Sequence, residues 1–175
     1  MQITLEFIQI IDLMAFTTAI ILGIGFLFKP PKSNRYLGLF LLSLAIEIIQ
    51  VFGAVLSEIN SFDIDIPVHT SLLTIVFLLF YVQHNIIGHI PRKLWVLVLP
   101  AVLFNVMLPL LPFEEEVIWL QFIEYSFNIG IIVYTFKVLK LHENNVVNYY
   151  SDLEQKTLWW IKSILYVFIG FHLLW

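Results

Sequence analysis

Three carboxyl groups stand where carboxyl groups are expensive. Asp12, Glu47 and Glu124 each interrupt a long apolar stretch, with no Lys or Arg at the same depth. Acids in that setting face a bundle interior or a wet cavity, and they mark ligand sites or ion and proton paths. Their polar neighbours recur at helical spacing. Gln50 follows Glu47 by three residues, and Gln9 precedes Asp12 by three. Gln121, Glu124 and Asn128 fall at i, i+3 and i+7. Each set lies on one face of a helix. Asn105 adds a polar group to a further apolar stretch, between Pro100 and Pro109. The candidate site is therefore Asp12, Glu47, Gln50, Asn105, Gln121, Glu124 and Asn128. Its chemistry suits a polar cavity for a small cationic or hydrogen-bonding ligand, or a proton or cation path. The plainer alternative is polar glue between helices.

Catalysis finds little support. The chain has no cysteine, which removes disulfides, thiolate metal sites and Cys nucleophiles. It holds no phosphate-binding glycine loop, no dinucleotide fingerprint, no H-E-x-x-H and no G-x-S-x-G. His84 and His89 are five residues apart and do not share a helical face. No metal site, no cofactor and no enzyme activity is expected.

The elements that must carry these residues are apolar throughout. Of 175 residues, 60% are hydrophobic and only 13% charged, and mean hydropathy is +0.91. Soluble domains are about one quarter charged, and a chain this short has too little interior to hide so much apolar surface. The pattern predicts an all-α, polytopic membrane bundle forming a single domain over residues 1–175. Six segments are expected as helical spans, over residues 5–28, 36–56, 67–83, 94–111, 117–136 and 158–175. A span needs roughly 17–25 residues. Pro100 and Pro109 are expected to kink or shorten the fourth.

Basic residues set the orientation. Lys29, Lys32 and Arg35 follow the first segment, and Arg92 and Lys93 follow the third. Lys137, Lys140, Lys156 and Lys162 cluster between the fifth segment and the start of the sixth. Acids take the alternate connections, Glu58, Asp63 and Asp65 in one and Glu114, Glu115 and Glu116 in the other. By the positive-inside rule the amino terminus lies outside and the basic connections are cytoplasmic. The localisation implied is the bacterial inner membrane, multi-pass. The first segment lacks a basic leading region and a small-residue cleavage site, so it reads as a retained span. The last is short, about 20 Å from Ser163 to Trp175 at 1.5 Å per residue, and the chain is expected to be six of seven spans of a longer protein.

Two connections carry further signals. The first basic turn, Lys29 to Arg35, fits a tight helical hairpin on an anionic inner leaflet. Ser151 followed by Glu154 has the form of a capping box, so a coupling helix is expected from about Asp152 through Trp159 and Trp160, the tryptophans marking the cytoplasmic interface.

Three stretches together resemble a known family. They are N-R-Y-L-G-L-F-L-L-S-L at 34–44, F-L-L-F-Y-V-Q at 77–83 followed by I-P-R-K-L-W-V-L-V-L-P, and Y-S-D-L-E-Q-K-T-L-W-W-I-K at 150–162. Their order and spacing resemble the amino-terminal membrane domain of AraC-type transcriptional regulators of Bacteroidetes-like bacteria. That family also has a segment S-x-L-x-x-x-x-L-x-W-L before its sixth helix. Ser151, Leu153, Leu158 and Trp160 match it, and Ile161 replaces the last leucine. The resemblance implies a bundle of about seven spans preceding a cytoplasmic helix-turn-helix domain. It implies that these residues are the sensor half, without DNA-binding activity of their own and without direct nucleic-acid contact. The partners implied are the lipid bilayer, an extracytoplasmic small molecule or membrane protein as ligand, and the helix-turn-helix domain; the reading also allows a homodimer. A small transporter, or a transporter's substrate-binding subunit, is the alternative reading of the buried acids.

Overall fold

The computed structural model describes residues 7–60, 69–107, 116–149 and 158–174. Every regular element among the described residues is helical: α1 (Phe7–Phe28), α2 (Asn34–Asn60), α3 (Ser71–Ile87), a 3-10 segment (Arg92–Val98), α4 (Leu99–Met107), α5 (Glu116–Tyr149) and α6 (Trp159–Leu174). Three stretches are long and apolar enough to cross a membrane: Gln9–Phe28, Asn34–Gly53 and Trp119–Asn145. The helices of the third and sixth segments are shorter.

Local chemistry sets most boundaries. Pro30 and Pro31 cannot continue α1, and the turn closes where the Asn34 backbone N–H donates to the Pro31 carbonyl at 3.0 Å. Gly88 ends α3 in the left-handed region, φ 82°, and its N–H donates to the His84 carbonyl at 2.9 Å.

One sequence expectation is met and two need correction. The fourth segment is interrupted at Pro100, as expected: among the described residues it is the 3-10 segment followed by the nine-residue α4. Pro100 lacks an N–H and its ring crowds the carbonyl four residues back, at Val96. The Leu99 N–H bonds that Val96 carbonyl instead, which is the tighter i+3 geometry. The fifth segment does not stop at residue 136, because α5 runs on to Tyr149. Lys137 and Lys140 end the apolar run, but no Gly or Pro ends the helix. The coupling helix does not run through from Asp152, because Leu158 is outside α6 and the helix opens at Trp159. Ser151 and Glu154 lie outside the described residues.

The core is built around α3. Ile75, Val76, Leu78, Leu79, Phe80 and Val82 are almost fully buried, and α3 packs against α2, α4, α5 and the 3-10 segment. From α5 it receives the stripe Asn128, Ile131, Ile132, Thr135 and Leu139, all buried. Ile161 and Leu165 of α6 are buried as well. Trp160 sets its ring 5.8 Å from Tyr81, and Phe168 lies 6.1 Å from Phe40. At the basic end, Lys162 of α6 pairs with Glu143 of α5 at 2.6 Å.

Among the described residues α1 packs only on α2. The two cross at Gly23 and Gly38, where no side chain separates the backbones. A Cβ built on Gly38 would stand 2.7 Å from the Gly23 carbonyl oxygen. Small residues at a crossing of this kind let apolar helices approach closely.

Candidate polar site at the start of α3

The first turn of α3 lies beside the middle of α2. Its N-cap residue Thr70 makes no side-chain cap. The Thr70 hydroxyl instead donates across to the Ser43 carbonyl of α2 at 2.9 Å. One turn on, the Thr74 hydroxyl donates to Glu47 Oε1, and the Thr70 carbonyl also lies within 3.1 Å of that hydroxyl. Glu47 precedes the end of α2 at Asn60 by 13 residues, about 20 Å along the axis. So α3 starts level with a point deep inside the hairpin, and its first turn is tied to α2 by two hydroxyls.

The other side of this turn is held by α4. The Asn105 side chain pairs with the His69 peptide in both directions. The His69 N–H donates to Asn105 Oδ1 at 2.7 Å, and Asn105 Nδ2 donates to the His69 carbonyl at 2.8 Å. The same amide donates to the Ala101 carbonyl at 2.8 Å. Phe104 sets its ring edge-on to His69, 5.7 Å between centroids. Asn105 thus has both amide protons engaged and an occupied oxygen, which makes it a clamp on the chain entering α3. Asn105→Leu is expected to strand the His69 N–H and carbonyl. Each unsatisfied group costs about 1–3 kcal/mol, read as faster hydrogen exchange at the His69 amide and a lower thermal midpoint in detergent. Unchanged exchange would remove the clamp.

Glu124 of α5 completes the acidic part of the site. It acts electrostatically on Glu47 and is half-buried. Asn128, one turn further along α5, is buried. Gln50 is half-buried on α2, three residues beyond Glu47. Gln121 shares the face of Asn128, seven residues back, yet it is exposed.

Asp12 goes elsewhere. It is half-buried on the α1 stripe of Gln9, Asp12, Phe16, Ala19 and Gly23, which faces α2, the partner of α1 among the described residues. Glu47 follows Gly38 by nine residues, so at 100° each it points about 180° away from the α1 contact. The structure therefore ties Glu47 to α3, sets Glu124 on the helix that packs against α3, and leaves Asp12 on the opposite side of α2.

Sequence reasoning missed Ser43, Thr70 and Thr74. Hydroxyls inside apolar helices bond their own backbone cheaply, as Thr135 does to the Ile131 carbonyl, so they carry no outward signal. The four-residue spacing of Thr70 and Thr74, matching that of Ser43 and Glu47, was the available clue. Of the proposed coupling residues, Trp159 is exposed and Trp160 packs on Tyr81. Among the described residues, no three His, Asp or Glu side chains group as metal ligands. No family model, no characterised protein and no solved structure matches the chain.

Proposed function

We propose that the chain is a multi-pass sensor and signal-transducing module of the bacterial inner membrane, the sensing half of a membrane-tethered transcription regulator. The observation that carries this is α5. One unbroken helix of 34 residues bears Glu124 in the polar site and ends at Tyr149, 25 residues or about 38 Å further on. Past its middle, Glu143 fastens it to Lys162 of α6 at the basic end. A change in how Glu47 and Glu124 are satisfied therefore alters the seating of a rod that leaves the bundle on the cytoplasmic side. A ligand moves such a rod only by binding its two seatings with different affinity. The regulator partner comes from the resemblance carried by residues 34–44, 77–83 and 150–162.

The test is complementation of a deletion strain. The wild-type gene is expected to restore the transcript set that the deletion changes. Glu47→Gln and Glu124→Gln, at equal abundance in the membrane fraction, are expected to hold that set in one state regardless of growth condition. Full restoration by both variants would defeat the sensor reading. Unchanged transcripts together with loss of proton- or sodium-dependent uptake into proteoliposomes would make the chain a transporter.

A further inference from the structure

An apolar groove of about 470 Å³ runs along the flank of the α1–α2 hairpin. Ile11, Met14, Ala15 and Leu22 line it from α1, and Leu41 and Ile48 from α2. From Ile11 to Leu22 it follows the helix axes for about 16 Å. The groove is open along its length and long enough to seat one extended hydrocarbon chain. It lies parallel to two helices that are each long and apolar enough to cross a membrane, so it points the way acyl chains point.

One end of the groove leads to charge. Leu22 and Leu41 lie seven and six residues from Lys29 and Arg35, about 10 Å along each helix. Lys29, Lys32 and Arg35 are exposed, and none has an acidic partner among the described residues. An open apolar groove that ends below three exposed cations, none with an acidic partner among the described residues, suits one chemical class. We propose that this flank of the hairpin binds an anionic phospholipid, its acyl chain in the groove and its phosphate on the Lys29–Arg35 turn. The proposal rests on the membrane reading above and is independent of what the polar site senses.

The test uses the full chain in nanodiscs of equal phosphatidylglycerol and phosphatidylcholine with matched acyl chains, followed by native mass spectrometry of the released protein. The wild type is expected to retain one phosphatidylglycerol, preferred about tenfold or more, since each basic residue beside an anionic headgroup contributes about fivefold. Ala15→Phe fills the groove and is expected to abolish retention with all three charges intact. Thr18→Phe, on the same lining and also exposed, repeats the test without touching the core. Joint replacement of Lys29, Lys32 and Arg35 by Gln is expected to erase the preference between the two lipids. Retention that survives both Phe variants, or a wild type with no preference, overturns the site. A chain that does not stay in the nanodisc overturns the membrane reading and the site with it.

Discussion

Gly38→Ala is expected to lower the thermal midpoint in detergent more than the same change at Gly23 or Gly25. The new Cβ would meet two backbone atoms, the Gly23 carbonyl oxygen at 2.7 Å and the Leu27 nitrogen at 3.0 Å. Backbone cannot swing aside, so the helices must separate. Overpacking of this kind costs about 1–3 kcal/mol. Two controls calibrate it. Gly23→Ala meets the Leu42 side chain at 2.9 Å, which can rotate, and the Gly38 oxygen at 3.2 Å, so its loss is expected to be smaller. Gly25→Ala meets nothing within 4 Å and is expected to be neutral or slightly stabilising, since alanine is the better helix former by about 1 kcal/mol. Equal midpoints for the Gly38 and Gly25 variants would mean the crossing is looser than its geometry.

Thr74→Val is expected to loosen the start of α3. The shape is nearly kept and the hydroxyl is lost, so Glu47 Oε1 loses its donor from across the interface. Interhelical side-chain hydrogen bonds in apolar surroundings are worth about 0.6–1.7 kcal/mol. Thr74→Ser keeps the donor and is expected to recover most of that. Glu47→Gln keeps an oxygen acceptor, so its cost to stability is expected to be small. Glu47→Leu with Thr74→Val removes both partners, and the double variant is expected to cost less than the two singles added. A double-mutant cycle by denaturant titration reads this directly. Strict additivity would show that the pair is not coupled.

The fold was legible where apolar run and helix coincide. Residues 7–28 and 34–60 are helical close to the expected limits because Pro30 and Pro31 break the chain between them. It was illegible where the two separate. Lys137 ends the hydrophobicity of α5 but not its helix. The site was half legible. Burial cost points to Glu47 and Glu124 from sequence alone, and the structure ties Glu47 to Thr74 and sets Glu124 on the helix that packs against α3. Periodicity says which residues share a face but not which neighbour that face meets. That is why Asp12 and Gln121 joined the list, although one lies behind α2 and the other is exposed on α5. Asn105 reads as a ligand group and is a peptide clamp, because its partner His69 lies 36 residues away.

The single partnership of α1 divides the molecule's cooperativity. Losing α1 from α2 breaks one main interface and, Phe26 apart, leaves the packing around α3 in place among the described residues. Amide protection should therefore fall in two tiers. Protons along α1 exchange at the free energy of opening that one hairpin contact. Protons along α3, enclosed by α2, α4, α5 and the 3-10 segment, exchange only when the whole structure gives way. The helix that frames the apolar groove is thus also the one that can open and close without unfolding the rest.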